Sequence, residues 1–175
     1  MTSLRSPRRD VASLCALAAA VALFAACSGD DNTTETATPQ PPTFTATLAG
    51  ANEVPAVNAP GTGTATVVFF PATGTPTSGS YTVTVSGLTG APTASHIHAP
   101  ADTKTSTGVL VNFNPSSVTT TAGTFTGSFT QGDIRNANVS MDSVMKLVKA
   151  GLAYVNVHTT ANGGGEIRGQ LVPKP

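Results

Sequence analysis

Short runs of alternating polar and apolar residues dominate the chain after about residue 42, and they predict β-strands. In the run 80–86, Tyr81, Val83 and Val85 share one side while serines and threonines occupy the other, as successive side chains of a strand do. Turn residues, mostly Gly and Pro, separate the runs. About eight strands are predicted, at 43–49, 63–70, 80–86, 94–98, 108–113, 123–129, 153–158 and 166–171. This spacing predicts an all-β fold, an antiparallel Greek-key-like sandwich or barrel.

One segment departs from the alternation and predicts a short helix. Its apolar residues recur at helical spacing: Met141, Val144, Met145 and Val148. Ser140 is a suitable N-cap, and Gly151 suits the C-terminal end. We interpret this helix as a structural connection, and 130–134 as a second, shorter candidate for a helical turn.

The N-terminal segment has the pattern of a targeting signal rather than of a folded element. Several arginines precede an apolar run at 11–26, which is too short and too rich in small residues for a membrane span. The run ends in Phe24-Ala25-Ala26-Cys27-Ser28-Gly29, which resembles a bacterial lipobox. We predict a lipoprotein signal peptide at 1–26 and a lipid on Cys27; an ordinary secretory signal with a chance cysteine is the alternative.

The next segment, 27–42, is rich in Asp, Asn, Thr and Pro and is predicted to be a disordered polar tether. A single folded domain is expected at 43–173. The protein is therefore expected to be exported to the bacterial cell envelope, periplasmic or on the outer surface, with the membrane as its partner through the lipid on Cys27. Signal cleavage would leave one cysteine, so no intramolecular disulfide is expected.

Charge excludes one class of partner. Nine Lys and Arg balance nine Asp and Glu, and no stretch of sequence concentrates basic residues. Nucleic-acid binding depends on such a concentration, so no nucleic-acid partner is expected. A protein or small ligand of unidentified nature is the expected partner of the folded domain.

Polar chemistry is concentrated in three strand-like segments, 95–98, 154–159 and 163–169, which contain all three histidines. Strand alternation puts His96 and His98 on one face, as it does Asn156 with His158 and Glu166 with Arg168. A histidine pair two residues apart and a third imidazole from a neighbouring strand can form a three-nitrogen site for copper or zinc. Because the neutral imidazole binds metal, such a site is expected to weaken below about pH 6.

A structural interpretation of the same residues stays open. The histidines can instead form a buried polar network with Asn156, Glu166 and Arg168, in which the carboxylate pairs with the guanidinium or an imidazole. Glu53 is either a partner of Arg168 or a ligand-contacting carboxylate, or else an ordinary loop or edge-strand residue. No catalytic residues are predicted, because no serine, carboxylate or glycine pattern fits a known catalytic arrangement.

The order of motifs resembles the CHRD domain, a module named from chordin and found in many bacterial secreted proteins. The resemblance rests on five stretches: 48–55 (LAGANEVP), 86–88 (SGL), 94–98 (ASHIH), 154–159 (YVNVHT) and 164–171 (GGEIRGQL). It covers essentially the whole predicted domain and implies a β-rich extracytoplasmic module, often in lipoproteins. The predicted function is a non-catalytic binding or structural module.

A second resemblance, to copper/zinc superoxide dismutase, spans 61–98 and 155–158. By this resemblance, the copper-ligand positions correspond to His96, His98 and His158. Arg168 is similar to the active-site arginine of that family. The chain lacks the histidine that bridges the two metals, the zinc-ligand cluster and the cysteine pair. The resemblance therefore implies a copper- or zinc-binding protein as the alternative function, without dismutase activity.

Overall fold

The computed structural model describes residues 37–175. The predictions for the signal peptide, for Cys27 and for most of the tether lie outside these residues. The described part is built from nine strands and one α-helix, with single 3-10 turns at Gly50–Asn52 and Gln131–Asp133. The strands are β1 (Thr43–Ala49), β2 (Thr62–Phe70), β3 (Ser78–Ser86), β4 (Pro92–His98), β5 (Val109–Phe113), β6 (Gly123–Thr130), β7 (Tyr154–Thr159), β8 (Ile167–Gln170) and β9 (Val172–Pro173), and the helix is α1 (Met141–Lys149).

The predicted all-β class with one short helix is confirmed. Each of the eight predicted strands has a counterpart, and β9 is a short addition that pairs with β1. The helix begins as expected, because the Ser140 hydroxyl accepts the amide N–H of Ser143 at 3.1 Å. It ends before Gly151, whose φ of +69° is the left-handed conformation that glycine adopts without steric cost.

All strand pairings are antiparallel, and the order across the sheet is β5-β4-β7-β8-β1-β2-β3-β6. The segment after β6 returns to β5: Val111 bridges Ile134, and the Arg135 amide donates to the Leu110 carbonyl at 2.9 Å. The sheet is therefore a nearly closed barrel. Strands distant in sequence, such as β4 and β7, become neighbours through this order.

The inner face of the barrel is apolar. Every strand from β1 to β8 contributes buried side chains, and α1 adds the stripe predicted for it. Aromatic rings meet edge to face, with centroids 5.9 Å apart for Phe44 and Phe69 and 5.8 Å for Phe69 and Phe129. This core is what stabilises the domain, since burial of apolar surface is the main favourable term in folding.

Strand β7 is covered on both faces, unlike most strands of the sheet. Val155 and Val157 face the core, while Tyr154 and Asn156 are buried on the opposite face. Two loops, 50–57 and 99–108, lie over that outer face and are joined by the Ser106 hydroxyl, which donates to the Val54 carbonyl at 3.0 Å. Polar side chains on β4, β7 and β8 are therefore enclosed beneath loops. Within residues 37–175, no helix is both long and apolar enough to span a bilayer.

Candidate metal centre

The three histidines meet on the outer face of β4 and β7. Strand pairing aligns His96 with Asn156, and Asn156 with Arg168 of β8, so the three strands place one polar row side by side. The ring nitrogens available from His96, His98 and His158 all lie within 4.8 Å of one another. His96 Nδ1 is 3.0 Å from His158 Nε2. The structure thus brings together the three imidazoles that the sequence analysis singled out.

Two of the imidazoles have their tautomer fixed by backbone carbonyls. His98 Nδ1 lies 2.8 Å from the Thr107 carbonyl oxygen, and His158 Nδ1 lies 3.0 Å from that of Gly163. A carbonyl oxygen only accepts, so each Nδ1 carries the proton and donates it. In the neutral ring the Nε2 atom then has a lone pair that can bind a metal or accept a hydrogen bond, and that of His158 faces His96 Nδ1. These lone pairs of His98 and His158 are directed towards the same region.

The Asn156 side chain lies between the Nε2 atoms of His98 and His158. Its side-chain oxygen is 3.1 Å from His98 Nε2 and 3.0 Å from His158 Nε2. An acceptor oxygen facing two nitrogen lone pairs is unfavourable unless a cation lies among them or the amide turns its NH₂ group towards the rings. The arrangement is therefore compatible both with a metal ion and with an amide-centred polar network.

The imidazoles are held in the form that binds metal. Burial, followed by the charges of His158 and His98, lowers the pKa of His96 to about 4. Burial also lowers the pKa of His98 and that of His158, although hydrogen bonds to backbone carbonyls oppose the shift. All three rings are consequently neutral near pH 7, and protons compete for them only at lower pH than for a free histidine.

Arg168 is the most deeply placed cation near the histidines. It is 1 % exposed, and its Nη2 atom donates to the carbonyl oxygens of Asp102 and Thr105 at 2.6 and 2.8 Å. Its guanidinium carbon lies 3.5 Å from the ring centroid of Tyr154. The side chain therefore fastens the loop 99–108 to β8 through backbone carbonyls of the loop.

Glu166 does not join the histidines. Its carboxylate accepts hydrogen bonds from the Thr89 amide at 2.8 Å, from Thr159 Oγ1 at 2.6 Å and from Asn162 Nδ2 at 3.1 Å, and also from the Thr89 hydroxyl. Burial alone would raise the pKa of Glu166, but these donors outweigh it and hold the pKa below its usual value. The expected pairing of Glu166 with Arg168 or with an imidazole is replaced by this separate cluster at the end of the barrel.

Glu53 follows the 3-10 turn at the end of β1, in a loop, but it is buried. Among residues 37–175 the only ion pair joins Asp142 and Lys146, so Glu53 is not paired with Arg168. Its Oε1 atom is buried without a hydrogen-bond partner, and burial raises the pKa of Glu53 to about 7 although the charge of Arg168 opposes this shift. Gly165, with φ of +128°, leaves space for Glu53 beside Asn156; a Cβ there would overlap the carboxylate.

Sequence reasoning missed three contributors to the centre. Tyr154 lies two residues before Asn156 on the same strand face, so extending the alternation would have included it. The carbonyls of Thr107 and Gly163, by contrast, belong to loops whose path no sequence pattern specifies. These carbonyls determine which nitrogen of each ring is free, which is the property that metal binding requires.

Comparison with known proteins gives one family. No curated protein and no solved structure matched the chain. The family model of the CHRD domain matches residues 44–171, from the first core residue of β1 to the residue that follows β8. This match spans the whole barrel, including every residue of the candidate centre. The chain therefore belongs to the CHRD-domain family.

Proposed function

We propose that this CHRD domain, a binding or structural module, binds a copper or zinc ion through His96, His98 and His158. The ligand atoms are His96 Nδ1, His98 Nε2 and His158 Nε2. The observation that carries the proposal is the fixed tautomer of two rings: the carbonyls of Thr107 and Gly163 accept the Nδ1–H groups, so both Nε2 lone pairs face one point, beside His96 Nδ1. Metal-binding histidines typically have their second nitrogen oriented in this way.

The donor set favours copper or zinc over harder cations. Three neutral nitrogens suit borderline and soft ions, whereas magnesium and calcium prefer carboxylate and carbonyl oxygens. The carboxylates of Glu53 and Glu166 are not among the atoms that converge with the imidazoles. His96 and His158 are only partly buried, so solvent can reach the site.

Metal titration of the purified full-length protein tests the proposal. One equivalent of copper or zinc should bind near pH 7, and His96→Ala or His98→Ala should each lower the affinity at least about 100-fold, since each removes one of three ligands. Thr126→Ala, an exposed change on β6, is the control and should bind like the wild type. Absence of uptake by the wild type, or unchanged affinity in both histidine variants, would contradict the proposal.

The pH dependence of the same titration follows from the pKa shifts. A free imidazole is largely protonated at about pH 5.5, but burial lowers the pKa of His96 to about 4. Burial also lowers the pKa of His98 and that of His158, so metal should be released at a lower pH than from free imidazoles. The structure thus shifts the expected loss of binding to lower pH than the sequence alone indicated.

We also propose that the domain is exported and anchored to a membrane of the cell envelope by a lipid on Cys27, with 27–42 as the tether. Support comes from the sequence pattern of 1–29 and from the start of regular structure at Thr43. In the bacterial host, Cys27→Ser should move most of the protein from the membrane to the soluble fraction. Cys15→Ser, a cysteine inside the signal segment, is the control and should leave it attached; continued attachment of Cys27→Ser would contradict the anchor.

A further inference from the structure

The ring of Tyr154 is enclosed between a histidine of the centre and a buried cation. The His98 and Tyr154 rings stack in parallel, with centroids 4.7 Å apart and an interplanar angle of 3°. The Arg168 guanidinium carbon lies 3.5 Å from the Tyr154 ring centroid. Because β7 lies between β4 and β8 in the sheet, the imidazole and the guanidinium approach the tyrosine from its two sides. All three side chains are at least nine-tenths buried.

Within residues 37–175 no acid forms an ion pair with Arg168, although its positive charge lowers the pKa of nearby Glu53 against the effect of burial. Its hydrogen bonds go to the Asp102 and Thr105 carbonyls and to the Ser106 hydroxyl, which are all uncharged. The described residues contain no carboxylate within ion-pair distance of it. Glu53, which lines the same small cavity of about 210 Å³, is not paired with it. A buried cation without a directly paired acid acts on neighbouring charges with little screening.

We infer that the stack of His98, Tyr154 and Arg168 makes the centre selective for monovalent copper over divalent ions. Three neutral imidazoles contribute no negative charge, and the guanidinium adds one positive charge nearby. A second positive charge on the metal therefore costs more electrostatic energy in this site than in water. This inference rests on the proposed metal-binding function and concerns the charge of the ion that the site prefers.

Tyr154 acts here as a positioning residue. Its aromatic face attracts the guanidinium through a cation–π contact, and its other face fixes the plane of the His98 ring. Tyr154→Phe retains both contacts, whereas Tyr154→Leu removes them without introducing a charge. Tyr81 supplies a matched control, because it stacks on Phe113 in the core with centroids 3.8 Å apart.

The experiment compares the reduction potential of the copper-loaded full-length protein, and its Cu(I) and Zn(II) affinities from competition with chromophoric chelators. Arg168→Gln removes the charge and should lower the preference for Cu(I) over Cu(II) about tenfold, which is about 59 mV for a one-electron couple, and it should also lower the preference for Cu(I) over Zn(II). Tyr154→Leu keeps the charge but removes the contacts that hold the guanidinium and the His98 ring in place, so it should shift both preferences in the same direction by a smaller amount. Tyr154→Phe should match the wild type. Tyr81→Leu should reduce thermal stability without changing either preference.

Arg168→Gln keeps the test decisive if Tyr154→Leu does not fold, because the glutamine amide retains donors for the loop carbonyls. Stoichiometric copper binding by the wild type with unchanged potentials in Arg168→Gln and in folded Tyr154→Leu would overturn the inference while leaving the proposed function in place. Failure of the wild type to bind copper or zinc would overturn both.

Discussion

Copper or zinc in excess should raise the unfolding temperature of this protein by roughly 10 °C, and His158→Ala should abolish the increase. A ligand that binds only the folded state stabilises it by about 4 kcal/mol when its free concentration is a thousand times its dissociation constant, which corresponds to a shift of this size for a domain of this length. His158 is the decisive position, because its Nε2 atom contacts both His96 and Asn156.

Calorimetry with and without metal measures the effect. In the absence of metal, His158→Ala should cost only about 2 kcal/mol, because the half-buried ring loses its hydrogen bonds to the Gly163 carbonyl and to His96, each worth about 1 kcal/mol. The variant should therefore remain folded, so that its metal response can be read. Thr126→Ala again serves as the control and should keep the full increase. If metal leaves the wild-type transition unchanged while His158→Ala lowers it, the histidines form a structural network around Asn156 and the metal site is refuted.

Glu166→Ala should destabilise the protein by at least about 3 kcal/mol without affecting metal binding. The carboxylate accepts four hydrogen bonds from Thr89, Thr159 and Asn162. Bonds to a charged acceptor contribute about 1.5 to 3 kcal/mol each, and removing the acceptor leaves buried donors unpaired. Denaturant unfolding measures the loss, and metal titration of the folded fraction checks that the histidines are unaffected.

Two comparisons make this prediction specific. Asp142→Ala removes a partly exposed carboxylate that pairs with exposed Lys146 at 2.6 Å, and its cost should be below about 1 kcal/mol. Because the pKa of Glu166 is lowered by folding, its contribution is complete above the pKa of the unfolded chain and is lost as the pH falls below that value. The prediction would be contradicted if Glu166→Ala and Asp142→Ala lowered the free energy of unfolding equally. It would also be contradicted if the loss caused by Glu166→Ala grew as the pH fell.

Local patterns were enough to predict the elements of the barrel. Alternation along 80–86 and its equivalents defined strands, since the side-chain period of a strand is two, and Ser140 with Gly151 bounded the helix. The same alternation correctly placed His96 with His98, and Asn156 with His158. Strand and helix positions, and the face on which a side chain lies, depend on residues close together in the sequence, so local geometry alone determines them.

The network around Glu166 shows where this reasoning fails. Alternation placed Glu166 with Arg168, but β8 begins only at Ile167, so Glu166 lies in the preceding turn and is not bound by the strand period. Its donors come from Thr89, Thr159 and Asn162, which are brought together only by the packing of loops at one end of the barrel. Glu53 likewise was expected to be an ordinary loop residue if it was not a partner of Arg168, yet the close approach permitted by Gly165 buries it.

The sequence by itself determined that this chain forms an antiparallel β-domain of the CHRD type with three histidines on strand faces. Only the tertiary structure decided that those strands adjoin, that the Thr107 and Gly163 carbonyls leave two ring nitrogens free, and that Tyr154 lies between His98 and Arg168. The reason is physical: strand periodicity is set by adjacent residues, whereas strand order and loop paths are set by how the whole chain buries its apolar surface and satisfies its polar groups.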